Sequence, residues 1–125
     1  MPKDDYNKVV CTILIYLYSR LKGKNEEAPE SFLQPYTKAF PIKEDYFYFV
    51  LQKMQEQNLI EGLVFVKAWG GDIINIKGIS EIRITDEGIQ HLSHNKTMRT
   101  TLEYFRDNAV SLPGMVSTVV GILSQ

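Results

Sequence analysis

The chain has 125 residues, about one domain, with 44% hydrophobic and 23% charged residues, the balance of a globular protein. Its formal net charge of −1 gives no global attraction to nucleic acid or to an anionic membrane. A single cysteine, Cys11, excludes an internal disulfide, and no apolar run reaches the ~20 residues needed to cross a bilayer.

Asp4 and Asp5 precede an apolar segment, where acids suit the exposed N–H groups of a helix start. Tyr6, Val10, Ile13, Leu14, Leu17 and Leu21 fall at helical spacing and predict a first helix that stops at Gly23. Val9, Cys11, Ile15, Tyr16 and Tyr18 flank that stripe and leave only Lys8, Thr12 and Ser19 as a polar strip. A helix apolar on most sides is expected to be covered on most sides. "GKNEEAPE" (Gly23 to Glu30) reads as a polar loop. Pro29 suits a helix's first position and predicts a short second helix over roughly Glu30–Ala39, with Pro35 as a late start or a kink and Pro41 as its end.

Lys43–Asn58 is the third predicted helix, with Phe47, Val50, Leu51 and Met54 as its core stripe and Asn58 as a left-handed cap. Leu63–Val66 and Asp72–Ile76 read as strands joined at Gly70-Gly71. A second turn at Lys77–Ser80 leads to a short strand, Glu81–Ile84, with Ile82 and Ile84 facing inward. Thr85 reads as an N-cap, with Asp86 and Glu87 in the first turn of a fourth helix that ends at Asn95. Met98, Leu102, Phe105 and Ala109 predict a fifth helix, and Met115–Leu123 a short sixth after the break at "SLPG".

Three helices, a small antiparallel sheet with a hairpin, and further helices make an α+β chain on the winged-helix plan. The expected division is a winged-helix domain at 1–95 and a helical extension at 96–125 that packs on it or mediates dimerisation. On "EDYFYFVLQKMQEQNLIEGLVF" (Glu44 to Phe65), the glycine-bearing hairpin and "ITDEGIQHLSHN" (Ile84 to Asn95), the chain resembles the YjcQ-type family of small winged-helix proteins. That family is found in Gram-positive bacteria, their phages and mobile elements. The likeness covers about Tyr6 to Asn95 and fades through Phe105. It implies a winged-helix fold and a regulatory role, and it brings no reaction or ligand with it.

Two functional readings follow. In the first, the chain is a non-enzymatic, transcription-regulator-like protein that binds double-stranded DNA. Its contact candidates are Lys43, Tyr48, Gln52 and Lys53 on the third helix and Lys67 and Trp69 near the wing tip. Against it, the outward face of that helix presents Asp45, Phe49, Gln52, Lys53 and Glu56, with one base against two acids. The best basic run lies at Met1–Lys24, where Lys3, Lys8, Arg20, Lys22 and Lys24 oppose Asp4 and Asp5. The indole of Trp69 is expected to pack on a neighbouring loop. In the second reading, the winged helix is a protein-interaction or dimerisation module without DNA binding. Its surface candidates are Tyr16, Tyr18, Phe49, Met115, Val119 and Ile122, and the C-terminal helices fold back over helices one and three or swap onto a second chain.

No catalytic constellation is legible. Glu87, His91 and His94 form a sparse two-histidine, one-carboxylate pattern that reads as surface residues near a helix end, because zinc takes three or four ligands. Cys11, among apolar neighbours, reads as a small buried hydrophobe. The expectation is a cytoplasmic protein with no metal, cofactor, membrane contact or small-molecule substrate. "MPKDDYNK" does not have the order of a secretory leader.

Overall fold

The computed structural model describes residues 3–23, 32–71, 73–108, 119–121 and 123. Among the described residues the elements follow the order α1 (Lys3–Leu21), α2 (Glu44–Glu56), β1 (Ile60–Glu61), β2 (Val64–Lys67), β3 (Ile73–Lys77), β4 (Arg83–Ile84), α3 (Asp86–His94), α4 (Lys96–Asn108), with the strands in two small antiparallel sheets. The fold is α+β and winged-helix-like, and the wing is the β2–β3 hairpin.

α1 is the central helix. Every residue from Val9 to Ser19 is buried, including the two hydroxyls of the supposed polar strip. Thr12 is satisfied locally, because its Oγ1 donates to the Lys8 carbonyl at 2.7 Å. Ser19 is fully buried and its hydroxyl has no hydrogen-bond partner among the described residues. Leaving such a group unpaired costs about 1–3 kcal/mol. Ser19→Ala is therefore expected to stabilise the protein by about 1 kcal/mol or more, since alanine is also the better helix former. Thermal unfolding checks this, with an expected rise of about 4 °C.

α2 buries Phe47, Val50, Leu51 and Met54 completely, as their spacing predicts. It ends where Asn58 takes φ 61° and the Leu59 N–H donates to the Met54 carbonyl at 2.9 Å. The predicted second helix does not form over Phe32–Ala39, where bends replace it. Pro35 has no N–H and excludes a regular turn around it. Tyr36 sits at φ 60°, which no right-handed helix contains. Thr37 supplies a local alternative. Its Oγ1 donates to the Gln34 carbonyl at 3.2 Å and accepts from the Phe40 N–H at 3.1 Å. The segment is held by its aromatic rings. Phe32 stacks on Tyr16 of α1 with centroids 4.8 Å apart, and Phe40 bridges Phe32 at 5.4 Å and Phe47 of α2 at 5.2 Å.

The four strands form one long hairpin with a break in it. Ile60 and Glu61 pair with Ile84 and Arg83 at the base, and Val64 to Lys67 pair with Lys77 to Ile73 towards the tip. Between these ladders the outgoing chain has only Gly62 and Leu63, while the return takes the longer path through Gly78 and a 3₁₀ turn at Ile79–Glu81. Gln55 of α2 repairs the gap. Its Nε2 donates to the Leu63 carbonyl and its Oε1 accepts from the Leu63 N–H, both at 2.9 Å, so a side-chain amide stands in for a missing strand. Gly78, at φ 89°, lies against Gly62, whose carbonyl oxygen would be 2.4 Å from an added Cβ.

Ile82 and Ile84 are buried as predicted, and Thr85 caps α3 by accepting from the Gly88 N–H at 3.0 Å. Asn95 ends α3 and caps α4, accepting at Oδ1 from the Met98 N–H at 3.0 Å. α4 packs on α1 and α3, and Met98 and Leu102 join the same core as α1. Val119 is also fully buried in that core, with Val120 and Leu123 packed against it.

Candidate functional site

The outward side of α2 and the wing expose Phe49, Val64 and Trp69 beside charged groups, while Leu21, Tyr36 and Tyr104 are exposed elsewhere. α2 begins after Pro41 at an extended Lys43 whose side chain makes no cap. Glu44 and Asp45 occupy the first turn instead and complement the partial positive charge of the free N–H groups. Because Phe47, Val50, Leu51 and Met54 face the core, the helix turns Asp45, Tyr46, Phe49, Gln52, Lys53 and Glu56 the other way. Phe49 is 44% exposed, and its ring stacks on Tyr46 with centroids 6.2 Å apart. Lys53 places Nζ 5.7 Å from the Phe49 centroid and 3.4 Å from Glu56 Oε2. The only cation of this stripe is thus shared between a ring and a carboxylate. The Tyr48 phenol is raised above its ordinary pKa, first by burial and then by the charges of Glu44 and Asp45, which marks the N-terminal end of the face as negative.

At the wing, Lys67 is exposed, Val64 is 59% exposed and Trp69 stands fully in solvent. The expected packing of the indole on a neighbouring loop is therefore corrected. Val66-Lys67 lies at an irregularity in the strand pairing, and Gly70 and Gly71, both at positive φ, turn the chain immediately after Trp69. At the base, Arg83 pairs with Glu61 at 3.5 Å beside an open depression of about 550 Å³ lined by Glu61, Gly62, Glu81 and Arg83.

The DNA-contact candidates therefore fall in two places: Lys43, Tyr48, Gln52 and Lys53 on α2, and Lys67 and Trp69 on the wing. The basic residues of α1 do not extend either group. Arg20 donates to the Ile82 carbonyl, tying α1 to the start of β4, and lies 5.6 Å from the Tyr16 ring. Lys8 sits over the Tyr104 ring of α4 at 4.7 Å, and Lys22 over Tyr18 at 5.7 Å. Among the surface candidates, Tyr16, Tyr18 and Val119 are corrected: all three are buried within this chain and offer nothing to a partner. α1 is covered by α2, α3, α4 and the Phe32–Phe40 segment, so its extra apolar faces are already used. Phe49 stays open. Met115 and Ile122 lie outside the described residues.

A protein-family model described as "YjcQ protein" matches residues 12–107, from the middle of α1 almost to the end of α4. The chain belongs to the YjcQ family. No curated protein and no solved structure matches it. The YjcQ span takes in α2, the whole hairpin and α3, and also α4, whose Met98 and Leu102 complete the core.

The remaining chemically capable groups are inert or isolated. The Cys11 thiol is fully buried, and burial pushes its pKa up to about 12, which leaves no thiolate for nucleophilic work. His91 is half-buried and its pKa is lowered by that burial, and His94 Nδ1 lies 2.8 Å from Ser93 Oγ. Among the described residues, no three His, Cys, Asp or Glu side chains converge to hold a metal. No helix among them is long and apolar enough to cross a membrane.

Proposed function

We propose that this YjcQ protein acts by binding rather than by catalysis, and that its working surface is the outward face of α2, which engages another protein. One observation carries the reading: an exposed phenylalanine, Phe49, its ring stacked on the half-buried Tyr46, lies where a winged helix would otherwise present cations to DNA. Most non-specific affinity for DNA is phosphate neutralisation. Here Glu44, Asp45 and Glu56 outnumber Lys43 and Lys53, and Lys53 is engaged by Glu56. A helix entering the major groove would bring those carboxylates against phosphates.

The second reading, DNA association, draws its support from the wing, where a fully exposed Trp69 follows the exposed Lys67. A mobility-shift titration with random duplex at low salt separates the two. Non-specific constants for DNA-binding domains are on the order of 10⁻⁴–10⁻⁶ M, so retardation at tens of micromolar would be seen if DNA were the ligand. No retardation is expected. A shift that Lys67→Ala and Trp69→Ala abolish and Phe49→Ala leaves intact would transfer the function to the wing and to DNA. Phe49→Ala itself is expected to lower stability by only about 1 kcal/mol, the loss of its stacking on Tyr46 and its contact with Lys53.

A further inference from the structure

We propose that the partner of the α2 face is a cationic amphipathic segment of another protein, seated with an apolar side chain on Phe49 and Tyr46 and a basic side chain on Asp45. The inference rests on the reading of α2 as the working surface and adds the chemistry of what binds there.

The face has a definite charge pattern. Phe49 sits at its middle, with Asp45 one turn before it and Glu56 two turns after it. Glu44 adds a further exposed carboxylate at the same end as Asp45. Lys53, between the two ends, lies 3.4 Å from Glu56 and 5.7 Å from the Phe49 ring, while the exposed Asp45, in the first turn of α2 near Lys43, makes no ion pair among the described residues. An aromatic anchor with carboxylates at its rim complements an apolar anchor with basic residues at its rim.

A second copy of this chain brings its own excess of carboxylates to the contact. A two-fold contact centred on Phe49 sets Asp45 against the second copy's Lys53, and that lysine is already beside Glu56 at 3.4 Å, so the contact adds no cation to the face. A phosphate backbone fits worse, for the same reason of sign.

The probe is a synthetic amphipathic helix with leucines on one face and lysines and arginines beside them. Its counterpart has glutamates in place of the basic residues. Both are titrated into the full chain, with backbone amide resonances followed by NMR. The expected result is that the basic peptide perturbs the amides of residues 45–56, more weakly as salt is raised, while the acidic one does not. Asp45→Lys is expected to weaken the basic peptide about tenfold or more and to admit the acidic one. Asp45→Asn, which keeps the shape, should lose part of the affinity without gaining the acidic peptide. Phe49→Ala should weaken the basic peptide without changing the fold. Equal binding of both peptides at residues 45–56 would overturn the charge inference and leave the α2 reading standing. Failure of the basic peptide to bind there also overturns it. If duplex DNA perturbs residues 45–56 instead, the reading of the surface falls as well. A light-scattering mass of two chains that Phe49→Ala returns to one would make the occupant a second copy.

Discussion

Gly88→Ala is expected to destabilise the protein by about 3 kcal/mol or more, a large effect for adding one methyl group to a helix. In an open helix the same change is favourable, because glycine is about 1 kcal/mol poorer than alanine there. Gly88 is not in an open helix. A Cβ at this position would lie 2.2 Å from the Leu59 carbonyl oxygen and 2.7 Å from Ile84 Cγ1. The first of these is backbone and has no rotamer to give. It also has a task, since it accepts from the Thr85 N–H at 3.2 Å. Thr85 Oγ1 in turn donates to the Asn58 carbonyl and accepts from Gly88 N–H. The end of α2, the last strand and the start of α3 therefore meet in one knot that closes only if residue 88 has no side chain. Pushing α3 away would break the cap at Thr85 and uncover Ile84 together. Urea denaturation of Gly88→Ala measures the loss. Gly121→Ala is the control, because a Cβ there meets nothing within 4 Å among the described residues, and at this exposed helical position it should leave stability equal to the parent or up to about 1 kcal/mol higher. Equal stabilities for the two variants would refute the close approach.

That knot also marks how far the sequence could be read. Thr85, Asp86 and Glu87 announce the helix start through capping and dipole chemistry that acts within one turn, and Asn58 announces its left-handed conformation in the same local way. Phe47, Val50, Leu51 and Met54 follow from a period that any amphipathic helix must show. Gly88 has no such local signature, because the atom it avoids belongs to Leu59, nearly thirty positions earlier in the chain. β4 lies within the strand that the alternation at Glu81–Ile84 predicts, but β1 is two residues long and only its pairing with β4 identifies it. Gln55 carries no local signal of its task, yet it supplies both hydrogen bonds of the broken ladder. The candidate surface divides along the same line. Phe49 was legible because helix phase alone placed it outward. Tyr16, Tyr18 and Val119 were misassigned because periodicity shows that a helix has apolar sides but not how many neighbours cover them. Trp69 was misplaced for the opposite reason, since a large indole usually finds cover and here the Gly70-Gly71 turn holds it away from any.

The other large effect is expected at Phe40. Phe40→Ala should cost about 3–5 kcal/mol, the range for removing a fully buried phenylalanine. Phe40 is 0% exposed and its ring meets Phe32 and Phe47 edge-on at 5.4 and 5.2 Å, so it is the only link in the ring series Tyr16–Phe32–Phe40–Phe47 that touches both the irregular segment and α2. A helix in this position would have backbone hydrogen bonds to hold its shape after losing one side chain. The Phe32–Ile42 segment has only short-range ones: Gln34 N–H to the Phe32 carbonyl at 2.9 Å, Tyr36 N–H to Ile42 at 3.1 Å, Thr37 N–H to Phe40 at 3.2 Å, Ile42 N–H to Phe40 at 2.8 Å and the Thr37 side-chain bonds. Its order therefore depends on ring packing, and the left-handed Tyr36 is maintained against its own preference only while Phe40 is anchored. Hydrogen exchange distinguishes this from a uniform loss of stability. In Phe40→Ala the amides of Tyr36 and Ile42 should exchange far faster than those of Phe47 and Leu51, which α2 retains through its own helix and its packing on α1. Equal acceleration across both sets would mean that the segment and α2 unfold as one unit, and that the rings do more than fasten a loop to a core already formed.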